Sequence, residues 1–248
     1  MTALLICAAL GIEARAIRRG LPARLTGIRV IVTGIGPRRA ARAAARLGGQ
    51  EATAVAGHLG AQETAGCSAL ATRLSAQDTA GGGAVVSRLG VREAVAVVGF
   101  GGSVGGGLRP GDVLVASEVR FRGRVHPCPS AALLAGELAR AGLPVKVGPL
   151  VTADRLVRGA ERRRLAAVGA YGVDMETGPL ARAAAGRPLA AVRVIVDTPR
   201  APLLSPATLA RGFAARRTLR ALGPVLVRWA AAITPETVPF PLPEESLP

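Results

Sequence analysis

The chain has 248 residues, half of them apolar, and 32 basic residues against 16 acidic ones give a net charge of +16. That length buries one substantial core, so a single domain over residues 1–233 is expected, with a proline-rich tail at 234–248. No apolar run reaches the roughly 18 residues that a membrane-spanning helix needs.

Taken in chain order, the strand-like runs are 3–10 (ALLICAAL), 28–35 (IRVIVTGI), 94–100 (AVAVVGF), 112–121 (DVLVASEVRF), 145–153 (VKVGPLVTA), 170–175 (AYGVDM) and 190–197 (AAVRVIVD). The opening run lacks a basic leader and an obvious cleavage site, so it reads as a buried first strand rather than a signal segment. Several of these runs are almost continuously apolar, as strands covered on both faces are. Between them, Ala/Arg/Leu segments predict helices over 38–47, 131–141, 160–168, 177–185 and 206–232. Strands alternating with helices imply a three-layer α/β/α architecture around a central sheet. Residues 48–83, rich in Ala, Gly, Thr and Gln, break the rhythm and read as a low-complexity insert or extended crossover, helical near 68–74.

The charge does not describe a nucleic-acid surface. Lys146 is the only lysine, arginines are scattered along most of the predicted helices, and aromatic residues for base stacking make up 2% of the chain. Cys7, Cys67 and Cys128 are odd in number with no CxxC, and neither His58 nor His126 lies at metal-ligand spacing from another such residue. No metal site is expected, and the cysteines suit a reduced, cytoplasmic protein.

In open α/β sheets ligands bind beyond the carboxyl ends of strands. The first predicted strand leads to Glu13, the second opens into TGIGPRRAA, the third into GFGGSVGGGLRPGD, the sixth into VDMET, and the seventh ends at Asp197. The glycines from Gly99 to Gly107 either shape a tight turn or let backbone N–H groups approach a ligand, since no Cβ obstructs them. They match neither GxGxxG before a helix nor a P-loop. Asp174 and Glu176 share one face of a straight strand; if the strand ends at Met175, Glu176 swings toward the cleft while Asp174 anchors the turn. Glu176 is equally explained as an acid suited to a helix N-terminus.

Four blocks in order carry a resemblance: ICAALGIEARAI, VVGFGGSVGGGLRPGDVLVASE, GVDMET and AVRVIVD. Together they resemble the purine nucleoside phosphorylase and methylthioadenosine/adenosylhomocysteine nucleosidase superfamily. The segments TGIGPRRAARAA and VTADRLV are most similar to its hopanoid-associated branch, whose members remove adenine from adenosylhopane. The resemblance implies a mixed, twisted central sheet with helices on both sides, cleavage of an N-glycosidic bond, and no cofactor beyond phosphate as a possible co-substrate. It implies a small-molecule nucleoside, free or lipid-linked, as the partner, peripheral membrane contact in the lipid-linked case, and a homo-oligomer.

By the same resemblance Asp197 is the general acid that protonates the departing purine at N7, and its neighbours Val194, Ile195 and Val196 suggest an apolar surround. Glu176 grips the ribose hydroxyls, Met175 packs on the sugar face, and Glu13 activates the attacking water. Phe100 and Leu156 lie at the base, Gly101 and Gly102 bind substrate beside them, and Arg193 is placed to orient Asp197 or the adjoining loop. For phosphorolysis, Gly36 and Arg38, with Gly34 and Arg39 beside them, would contact phosphate; Glu13 instead favours water. Two departures stand out: Val196 replaces the serine usual before the terminal acid, and Leu156 stands where nucleosidases place an aromatic ring. A non-catalytic nucleoside-binding protein that kept the fold is the competing reading.

Overall fold

The computed structural model describes residues 3–23, 26–58, 93–105, 107–201 and 208–233. The remainder of the 48–83 segment, with its proposed helix near 68–74 and Cys67, lies outside the described residues, as does the tail 234–248.

Eight strands form one mixed sheet: β1 (Leu4–Ala8), β2 (Ile28–Val32), β3 (Ala94–Ser103), β4 (Val113–Phe121), β5 (Arg124–Pro127), β6 (Val145–Thr152), β7 (Gly172–Asp174) and β8 (Leu189–Asp197). Their order is β2-β1-β3-β7-β6-β4-β5, with β8 pairing both β3 and β4. The pairings β3–β8, β8–β4, β4–β6, β6–β7 and β7–β3 therefore close a ring, so the sheet curls instead of staying open. Its strands are the apolar runs of the sequence: every residue of β1 and all but one of β8 are buried. Helices α1 (Gly11–Arg18), α3 (Ala131–Arg140) and α6 (Thr208–Ile233) pack together over the sheet, while α2 (Pro37–His58) packs on α5 (Thr177–Ala183). The remaining helix, α4 (Gly159–Ala167), follows β6. Trp229 on α6 is fully buried and donates its indole N–H to Ser130 Oγ at 3.0 Å, which ties α6 to the start of α3. No helix among the described residues is long and apolar enough to cross a membrane.

The mixed α/β architecture follows the expectation, with differences that have local causes. α2 runs on through Gly48 and Gly49 to His58 instead of ending at Leu47. Its alanine-rich sequence carries the two glycines, each costing only about 1 kcal/mol relative to alanine. The element α1 follows β1 where no helix was expected. β5 was also unforeseen: it is four mostly exposed residues joined to β4 by the two-residue turn Arg122–Gly123, both at positive φ (48° and 72°). That pattern is the type I′ hairpin turn, whose usual sequence signature is Asn-Gly or Asp-Gly. β3 continues through Gly101 and Gly102 to Ser103, and β7 is cut to three residues.

Candidate active site

The carboxyl ends of β1, β3, β7 and β8 surround a cavity of about 250 Å³. Glu13, Glu176 and Asp197, far apart in the chain, all line it, together with Phe100, Gly101, Gly102, Leu156 and Met175. These residues were singled out on sequence; apolar groups from Ala9, Leu10, Ile35, Val157, Val173 and Val196, with Arg155, Arg162 and Asp174, complete the wall.

Glu13 is set by two backbone donors. It occupies the third position of α1, whose N-cap Leu10 is extended, and its Oε2 accepts the Leu10 N–H at 2.8 Å, which is half of a capping box. Its Oε1 accepts the Phe100 N–H at 2.7 Å. That donor is available because β1 pairs with β3 only as far as Val97 and β7 joins β3 only from Gly102, which leaves the edge of β3 between them open. The carboxylate fills the gap and is 2% exposed, not the solvated first-turn acid that its position alone allows. Burial pushes its pKa up, against the Phe100 hydrogen bond and the charge of Arg193.

The two acids of VDMET part company because β7 ends at Asp174. Asp174 turns inward: Oδ1 accepts from Thr152 Oγ1 at 2.7 Å, and Oδ2 accepts the Thr177 N–H at 3.1 Å, the Arg193 Nε–H at 2.8 Å and a second bond from Arg193 Nη2. It anchors the turn, as expected. Glu176, at the N-cap of α5, faces the cavity; its Oε1 accepts the Gly36 N–H at 2.8 Å and its Oε2 the Met175 N–H at 3.3 Å. Gly36 reaches this point through a left-handed backbone (φ 88°) that favours glycine. Burial is the largest influence on Glu176 and raises its pKa; Arg193 opposes the shift and Asp174 adds to it.

Arg193 is 1% exposed and pairs with Asp174 rather than orienting Asp197. The reason is a bulge. Along β8, Arg193 opposes Gly99 and Ile195 opposes Gly101, but Asp197 opposes Gly102, so Val196 is an extra residue. A regular strand would put residues 193 and 197 on one face; the bulge turns Asp197 to the other. Burial works against the Arg193 charge, yet Asp174, Glu176 and Glu13 together hold its pKa above the ordinary value.

On that other face Asp197 meets a residue that sequence reading passed over. Arg162 on α4 donates from Nη2 to Asp197 Oδ2 at 2.5 Å, and both side chains are close to nine-tenths buried. The apolar surround expected for Asp197 therefore contains a guanidinium. One arginine within RGAERRRL gives no sign of burial, so no sequence signal marks it. Gly102 underlies the pair: a Cβ there would lie 3.3 Å from Arg162 Nη2 and 3.4 Å from Asp197 Oδ2.

The residues offered for phosphate are distributed differently. The Gly36 N–H is used by Glu176. Arg38 and Arg39 line a separate cavity of about 600 Å³, shared with Ile35, Arg122 and Asp154, and neither borders the cavity of the three acids. Cys7 and Cys128 are buried, and burial pushes both thiols up to about 12.

No curated protein sequence matches the chain significantly. Solved structures match over nearly its whole length. The S-adenosylhomocysteine nucleosidase of Streptococcus pyogenes, in complex with a 5-methylthiotubercidin ligand, is 20% identical with a TM-score of 0.60, covering 92% of this chain and 97% of that one. The 5′-methylthioadenosine/S-adenosylhomocysteine nucleosidase of Helicobacter pylori with butyl-thio-DADMe-Immucillin-A is 15% identical with a TM-score of 0.62, covering 92% and 99%. The native futalosine hydrolase of the same organism is 14% identical with a TM-score of 0.60, covering 93% and 97%. At these identities the likeness establishes the fold. The family model described as the Phosphorylase superfamily matches residues 23–221, most of the chain. The chain belongs to the Phosphorylase superfamily.

Proposed function

We propose that this protein cleaves the N-glycosidic bond of a purine nucleoside, with adenine as the base and water as the nucleophile. One observation carries the reading: Glu13, Glu176 and Asp197 converge on a single cavity at the strand ends. Glu13 takes a proton from water as its oxygen attacks C1′. The C1′–N9 bond breaks, its electrons pass to the purine, and Asp197 delivers a proton to N7 so that the base leaves neutral. Such proton transfer is typically worth about 10²- to 10⁴-fold. Glu176 holds the ribose hydroxyls and places negative charge beside the cationic sugar of the transition state. The solved nucleosidases with nucleoside analogues bound share this fold, which agrees with a nucleoside ligand here.

Water is favoured over phosphate because Glu13 borders the cavity and Arg38 does not. Exposed Ile35 at the cavity wall suits an apolar 5′ substituent, in keeping with a lipid-linked adenosine such as adenosylhopane. The test is an adenine-release assay on adenosine, 5′-methylthioadenosine and a lipid-linked adenosine, with and without phosphate. Phosphate-independent release is expected, and strict dependence on phosphate would make the enzyme a phosphorylase. No release from any of these substrates would sink the catalytic reading and favour a nucleoside-binding protein.

A further inference from the structure

The guanidinium of Arg162 lies against the proposed acid, inside the cavity, on a helix that the mechanism above does not use. Both of its hydrogen bonds leave from Nη2, to Asp197 Oδ2 at 2.5 Å and to Val157 O at 3.4 Å, while Nε is buried without a partner among the described residues. Arginine has only donors, so a carboxyl oxygen held by it must accept. A carbonyl oxygen accepts more strongly than a hydroxyl oxygen, so this contact favours the transferable proton of Asp197 on Oδ1 with Oδ2 as the acceptor.

We propose that Arg162 is the positioning residue for leaving-group departure: it favours the proton of Asp197 on Oδ1 and stabilises the carboxylate that remains once that proton has passed to the base. The inference rests on the N-glycosidic reading above. In the reacting complex Asp197 is a neutral acid whose Oδ2 accepts from Nη2. As C1′–N9 breaks, the Oδ1–H bond breaks and an N7–H bond forms. The electron pair stays on the carboxyl group, which becomes the anionic half of an Arg–carboxylate pair. The interaction is weak before transfer and charge-assisted after it, so it strengthens along the reaction coordinate, which is the condition for accelerating the step rather than merely binding substrate. The bulge at Val196 and the absence of a side chain at Gly102 give the pair its room.

The experiment compares two leaving groups in the full-length protein. Purine nucleosides need a proton at the base; para-nitrophenyl riboside releases a stable phenolate and does not. Arg162→Met is expected to lower kcat/KM for adenosine-type substrates by about 10²-fold, the scale of losing one preorganised donor to a developing charge, while leaving para-nitrophenyl riboside nearly unchanged. Arg162→Lys recovers part of the loss. In an Asp197→Asn background, Arg162→Met has no further effect on the purine rate, since the two residues act as one unit; this double variant leaves no buried charge stranded and remains informative if Arg162→Met alone does not fold. Equal losses on both leaving groups, or an additive loss in the Asp197→Asn background, would reduce Arg162 to a structural clamp and overturn the proposal. A wild-type protein inactive on every substrate, para-nitrophenyl riboside included, would instead overturn the glycosidic reading on which it stands.

Discussion

At one end of the cavity Arg193 faces Asp174 directly, with Glu13 and Glu176 close enough for their charges to raise its pKa; at the other, Arg162 faces Asp197 from α4. The two arginines stand on opposite faces of the same strand pair because β8 carries an extra residue at Val196. Arg193 belongs to the core: its Asp174 contact also engages Thr152 and Thr177, and their bonds reach on to the Gly178 N–H at 2.8 Å. Arg162 belongs to the cavity, with hydrogen bonds from a single nitrogen. The same residue pair, arginine with aspartate, thus serves a sealed scaffold in one place and the proposed reactive surface in the other, and a one-residue bulge is what separates them.

The contrast is broken most forcefully at Arg193. Arg193→Met leaves Asp174 as a buried carboxylate without its cation, and breaking such a pair costs about 3–5 kcal/mol. Chemical denaturation should show that loss in stability, and Asp174→Asn added to it should recover part. A change within about 0.5 kcal/mol, the range of ordinary surface substitutions, would show that the pair does not hold the fold.

Acidity sharpens it next. Burial raises the pKa of both Glu13 and Glu176 above the ordinary 4.5, so the acid limb of kcat/KM should fall above that pH, as these groups take up protons. Glu13→Gln should be nearly inactive at every pH. For stability the sign is opposite. A carboxyl group with a raised folded-state pKa binds its proton more tightly folded than unfolded, so its contribution is full below the unfolded value and is lost as pH rises through the folded one. Mild acidification should therefore switch activity off while protonation of these two groups adds to stability instead of subtracting from it. Parallel pH series of kcat/KM and of the denaturation midpoint check this, and an acid limb at or below 4.5 would contradict the burial argument.

How much of this was legible in the sequence follows the same division. The apolar runs of β1, β3, β4, β6 and β8 announce themselves, and so does the meeting of three acids, because each stands at the exit of a recognisable strand. The split between Asp174 and Glu176 depended on where β7 stops, and the structure stops it one residue earlier than Met175. What stayed hidden was long-range. Arg162 gains its partner Asp197 only when α4 brings it beside β8, 35 residues on. The partnership of Arg193 could not be read from strand alternation because the bulge reverses that alternation between residues 193 and 197. Nor does periodicity reveal that the strands close into a ring, since strand pairing is non-local. α1 escaped notice as an element because its N-cap is Leu10, not one of the polar residues that usually announce a helix.

The finest separation of the two ends is by a single methyl group. An alanine Cβ at position 99 would fall 2.8 Å from both Glu13 Oε1 and Arg193 Nη1, closer than such atoms approach, and both groups are locked by their other bonds. Gly99→Ala should therefore cost about 1–3 kcal/mol in stability, as overpacking does, with activity falling because Glu13 is displaced. At position 102 the same methyl group meets Arg162 Nη2 at 3.3 Å and Asp197 Oδ2 at 3.4 Å, a fit that a few tenths of an ångström of movement relieves. Both side chains line the cavity, which leaves room for a shift of that size. Gly102→Ala should leave the melting behaviour almost unaltered and reduce the purine rate by less than about 10-fold, equivalent to under 1.4 kcal/mol, with para-nitrophenyl riboside spared. If Gly102→Ala proved the more destabilising of the two, the Arg162–Asp197 pair would be as tightly built into the core as Arg193, and the distinction between scaffold and reactive surface would fail.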